Sequence, residues 1–125
     1  MATWRTFFIV AAAFNFLAGV PLAIAPAEMA ALLGVPVPDD LMYHRFTGLL
    51  VACFGGVYAL LATDPVRYRP VLWTGVIGKA GVVVLFTEAF LGGRVPFQAY
   101  AVSLGDLAFV IGFLVFLLTT GKKTA

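Results

Sequence analysis

Four long apolar runs take up nearly the whole chain, at residues 6–25, 41–63, 70–91 and 96–120, with short polar stretches between them. Each approaches the ~20 residues that a helix needs to cross a hydrocarbon layer. The separators read as stops. Pro26 follows the first run, and the loop VPVPDD at Val35–Asp40 precedes the second. DPVRYRP at Asp64–Pro70 separates the second from the third, and Gly92, Gly93, Arg94 and Pro96 divide the third from the fourth. The pattern predicts an all-α integral membrane four-helix bundle in one domain over residues 1–125, too short for a soluble core plus a separate anchor.

The first run imitates a secretory signal, with Arg5 ahead of the apolar stretch and Ala23-Ile24-Ala25 as a cleavage-like site. Pro26 directly after that site and Asn15 within the stretch argue instead for a retained helix. Ala11, Asn15 and Gly19 recur every fourth residue, as do Gly48, Ala52 and Gly56 in the second run. Such small-residue faces let membrane helices approach closely. Between the two runs, PAEMAALLG has proline at a first helical position, Glu28 in the first turn and Gly34 as a terminator. It is too short to span and is expected to be an interfacial helix with Met29, Leu32 and Leu33 turned towards lipid. Asp39 or Asp40 is placed to cap the helix that follows.

Composition agrees with a membrane chain: 62% of residues are hydrophobic and 11% charged, against roughly a half and a quarter in soluble domains. The net charge of +2 resides mostly in loops and reports orientation rather than nucleic-acid binding. Four spans put Arg5, Arg67, Arg69, Lys122 and Lys123 on one side. Glu28, Asp39, Asp40, Arg94 and the near-interface Arg45 fall on the other. The positive-inside rule then predicts both termini cytoplasmic in the cell (inner) membrane. Cys53 is the only cysteine and lies in an apolar run, where it reads as a small packing residue.

The candidate chemistry lies in charges within the runs, where an ionisable group usually faces a partner, a cavity or water. At ~1.5 Å per residue, Lys79 sits roughly 13 Å along the third run and Asp106 roughly 15 Å along the fourth, so both fall near the midplane. Asn15 falls at a similar depth. A central ligand-binding cluster of Lys79, Asp106, Ser103 and Asn15 is therefore expected, with Tyr100 on the same stripe of the fourth run. Lys79 shares its face with Gly75, Val82 and Phe86, whereas Glu88 points to nearly the opposite side. A second, outer polar cluster is expected from Arg45, Glu88 and His44. His44 has no companion at ligand spacing, so no metal site is expected. There is no phosphate loop, nucleophile elbow or HExxH, and no catalytic residue is assigned.

The first-run FNFLAGVPL, the second-run HRFTGLLVACFGGVYAL and the third-run GVIGKAGVVVLF resemble the small four-helix membrane proteins of the DoxX/DoxD-like superfamily. The likeness covers most of the chain as a layout of glycine, arginine and apolar residues. It implies a four-helix bundle acting as an accessory to quinone-coupled or redox membrane enzymes. Together these readings favour a non-enzymatic, multi-pass protein that holds a quinone or other lipid against the Lys79/Asp106 cluster. The alternatives are a small oligomeric transporter or proton-coupled carrier, and a structural subunit paired with itself or with another membrane protein.

Overall fold

The computed structural model describes residues 1–120. Five α-helices follow in order: α1 (Ala2–Ile24), α2 (Pro26–Leu33), α3 (Met42–Thr63), α4 (Leu72–Leu91) and α5 (Phe97–Thr120). A single 3-10 turn, Arg69–Val71, leads into α4. There is no strand among the described residues. Four helices are long and apolar enough to cross a membrane, and they match the four runs in the sequence. Large side chains on their outward faces, such as Leu17, Ile24, Ile77 and Leu91, are each more than 70% exposed. An outer surface of this kind suits lipid, and all-helical spans satisfy their backbone internally. The chain is a multi-pass membrane protein.

The ends of the helices follow from local chemistry. Pro26 starts α2 where its missing N–H costs nothing. Gly34 ends α2 with φ of 72°, and Val35 N–H closes the turn on the Ala30 carbonyl at 3.0 Å. Asp40 Oδ1 accepts the Met42 N–H at 2.9 Å at the head of α3. Gly93, with φ of 71°, turns the chain after α4, and Arg94 N–H reaches the Ala89 carbonyl at 2.8 Å. Lys122 and Lys123, which enter the orientation reading, lie outside the described residues.

The closest helix pair is α1 with α3. Gly19 and Gly48 face one another so tightly that a Cβ on Gly19 would lie 2.5 Å from Ala52 N and 2.7 Å from Gly48 O. The two small-residue faces therefore meet each other within the chain. Gly56 is not part of that seam, since a Cβ there would meet nothing within 4 Å; Gly55 takes its place, packed under the Phe16 ring. A fourfold spacing drifts around a 3.6-residue helix, and by the third step the face has moved one residue back.

α5 runs antiparallel to α1 and receives its rings. Phe14 lies over Gly105 and, seven residues earlier, Phe7 lies over Gly112. Around them, at the end of the bundle that holds Met1 and Thr120, the core is aromatic. Trp4 and Phe8 meet Phe116 at 5.0 and 5.1 Å between ring centroids, and Tyr58 meets Phe113 at 5.1 Å. Leu61, Leu72 and Leu117 complete this buried cluster. At the other end α2 bridges the bundle, with Gly34 close against Gln98 and Pro96 at the head of α5. One end is thus sealed by packed rings, and the other is roofed by a short helix.

Candidate functional site

A cavity of about 410 Å³ lies between the sealed end and the α2 roof. This is within the roughly 300–1,000 Å³ of ligand pockets in general. Its walls are almost wholly apolar, with Phe14 and Leu22 from α1, Phe46, Leu50 and Phe54 from α3, and Val82 and Phe86 from α4. Met29 and Leu33 of α2 close it from above. This corrects the expectation for α2: of the three apolar residues assigned to lipid, Leu32 is 73% exposed, while Met29 and Leu33 face the cavity. An eight-residue helix folded back onto the bundle covers one face, and only the opposite face is left for lipid.

The polar floor is built at midspan by three helices. Lys79 Nζ of α4 donates to Asp106 Oδ1 of α5 at 2.6 Å and to Asn15 Oδ1 of α1 at 2.8 Å. Asn15 Nδ2 donates in turn to the Val51 carbonyl of α3 at 3.0 Å. The amide has only this orientation available, because an ammonium has no acceptor and a carbonyl no donor. Lys79 is 6% exposed and Asn15 5%. The ammonium also lies 5.0, 5.3 and 5.5 Å from the ring centroids of Phe14, Phe109 and Tyr58. A cation away from water is costly; here an ion pair, an amide oxygen and three ring faces offset that cost.

Besides the third N–H of Lys79, two groups at this floor are left open. The Tyr58 side chain lines the cavity at 1% exposure, with its hydroxyl end against Gly75. Its hydroxyl has no hydrogen-bond partner among the described residues. Asp106 also lines the cavity, and only its Oδ1 is engaged. Gly78, beside Lys79, leaves space in the wall, since a Cβ there would meet nothing within 4 Å. The lining residues that keep exposed surface include Phe46 and Leu50 on α3 and Gly78 and Val82 on α4, on either side of the seam between these helices.

The other residues singled out in the sequence lie elsewhere. Ser103 is 2% exposed and donates to the Tyr100 carbonyl of its own helix at 2.6 Å. The Tyr100 hydroxyl accepts from Thr87 Oγ1 at 3.0 Å, and its ring stacks on Phe90 at 4.7 Å. Neither residue lines the cavity. An i, i+3, i+6 stripe slips by about 60° per step on an α-helix, so Tyr100 and Asp106 end about 120° apart. The outer polar cluster does not form. Glu88 accepts from Arg94 at 3.0 Å in an exposed pair, and Arg45 Nε donates to the Ala23 carbonyl near the end of α1 at 3.0 Å. His44 instead lines a smaller cavity of about 250 Å³ under α2, beside Val35 and Thr47.

Sequence reasoning did not identify Tyr58 or the α2 side chains. Tyr58 carried a signal, since a phenol deep in a span needs a partner for its O–H. Met29 and Leu33 carried none, because an apolar residue on a short helix suits lipid and cavity equally. Among the described residues, no three His, Cys, Asp or Glu side chains gather as a metal site would need. Compared with protein-family models, with curated proteins and with solved structures, the chain finds no match.

Proposed function

We propose that this membrane protein is a non-enzymatic binding protein for a lipophile of the quinone or lipid class, with an accessory role of the DoxX/DoxD-like kind. The observation that carries the reading is the apolar cavity ending on a buried Lys79–Asp106–Asn15 cluster. Apolar walls with a few convergent polar groups are what an amphiphilic small molecule needs to be held in one orientation. The seam between α3 and α4 supports entry from the hydrocarbon side, because cavity and lipid are separated there by glycine and a few exposed apolar side chains. The cluster carries a compensated charge pair, so it can orient a head group without binding a counter-ion.

The test is mass spectrometry of an organic extract from gently purified protein. One lipophile should be recovered at close to one per chain from the wild type. It should be lost from Gly78→Phe, which puts a large ring on the cavity wall at a position where a Cβ meets nothing within 4 Å. Recovery of bulk phospholipid alone, at equal levels in both proteins, would overturn the reading.

A further inference from the structure

We propose that the ligand head is a neutral hydroxyl, so that the cavity takes a lipophilic alcohol or phenol. This inference rests on the binding reading above. Its starting point is what the floor still offers once its internal bonds are counted. Lys79 and Asp106 compensate each other at 2.6 Å, so the floor has no net charge. An anionic head would leave the site with an uncompensated negative charge in an apolar enclosure, and a cationic head would leave a positive one; either is costly. The head is therefore neutral.

The open groups are of two kinds, donors and an acceptor. The donors include the third N–H of Lys79, whose other two are taken by Asp106 Oδ1 and Asn15 Oδ1. Tyr58, 1% exposed and lining the cavity, presents an O–H donor that no described residue accepts. Asp106 Oδ2 is the carboxylate oxygen that the Lys79 pair does not use, and it is an acceptor. Lys79 Nζ is bonded to Asp106 Oδ1 and lies 5.5 Å from the Tyr58 ring centroid, and all three residues line the same cavity. A carbonyl or ether oxygen answers the Tyr58 and Lys79 donors but covers the carboxylate oxygen without supplying a donor to it, which is unfavourable. A hydroxyl answers both, accepting from Tyr58 and donating to Asp106. This separates a hydroquinone, a prenol or a sterol from a quinone, an aldehyde or an ester.

The test compares heads on one tail, with the whole wild-type protein in detergent. Farnesol, its methyl ether and its aldehyde are titrated by native mass spectrometry. A short-tailed hydroquinone is titrated beside its quinone and its dimethyl ether, so that an aliphatic and an aromatic source of hydroxyl are distinguished. In at least one series the hydroxyl compound should bind about tenfold tighter than both of its counterparts, the difference that one good hydrogen bond makes. Tyr58→Phe should weaken the hydroxyl compound and its ether together, since both accept from the phenol, whereas the advantage of the hydroxyl, which rests on Asp106, should persist. Equal binding across each series, or tighter binding of the aldehyde and the quinone, would overturn the hydroxyl assignment and leave the lipophile reading standing. Failure of every compound to bind, with no lipophile in the extract, would overturn both.

Discussion

Lys79 is the residue whose removal should be most informative, because its contacts reach α1, α3 and α5 through Asn15, Tyr58 and Asp106. Lys79→Leu leaves the Asp106 carboxylate without its counter-ion and should cost about 3–5 kcal/mol of stability. Lys79→Leu with Asp106→Leu removes both charges and should lie within about 2 kcal/mol of the wild type. Thermal unfolding in detergent of the two single variants and the double variant checks this, and strictly additive losses would show that the pair is not coupled. The midplane meeting of Lys79, Asp106 and Asn15 was legible from counting along each run, since depth in a membrane is nearly linear in residue number. Ser103 and Tyr100 were not separable from Asp106 in that way. Depth is easily counted, but azimuth depends on the 60° slip and on whether a hydroxyl bonds to its own helix, as Ser103 does.

For the helices, the small-residue faces were visible in the sequence, but their partner was not. Close approach between α1 and α3 uses Gly19 and Gly48, so these faces are already occupied within one chain. Gly48→Leu would drive a side chain into the Ala23 and Gly19 backbones and should cost about 3 kcal/mol or more, read as a lower melting temperature. Gly56→Leu points into open space and should change the melting temperature little, within the ~0.5 kcal/mol expected for a surface change. If the two variants behaved alike, the tight seam would not run through Gly19 and Gly48. The role of α2 was half legible. Its start and stop were written in Pro26 and Gly34, whereas its function as a roof depends on the fold of the rest of the chain.

Across the molecule, aromatic packing seals one end, while towards the other α1 and α3 stay in contact at Gly19 and Gly48 and the cavity opens between them and α4. Phe8, Phe113, Phe116 and Tyr58 fill the sealed end, while the opposite end has the cavity and α2. The apolar spans, their number and their boundaries were readable because hydrocarbon imposes a fixed length on every helix. The cavity was not readable, since an apolar residue gives the same signal whether it meets lipid, protein or an enclosed space. Tyr58→Phe should accordingly leave the fold intact, with a melting temperature close to the wild type, because its ring contacts are kept and its hydroxyl has no described partner to lose.

The ion pair also has a place in time. Lys79 and Asp106 are 27 residues apart, and a ribosome working at roughly 5–20 residues per second needs about 1–5 s to make that length. The helix that carries the ammonium is thus complete before the one that carries its carboxylate. Asn15, 64 residues before Lys79, is the earlier-made of its two hydrogen-bond acceptors in the finished floor, where its amide also donates to the Val51 carbonyl. Asn15→Leu should therefore lower the yield of correctly inserted protein, measured by protease protection during synthesis in microsomes or inverted vesicles, more than it weakens the completed bundle. In chain order the amide is the lysine's first partner and the carboxylate its second.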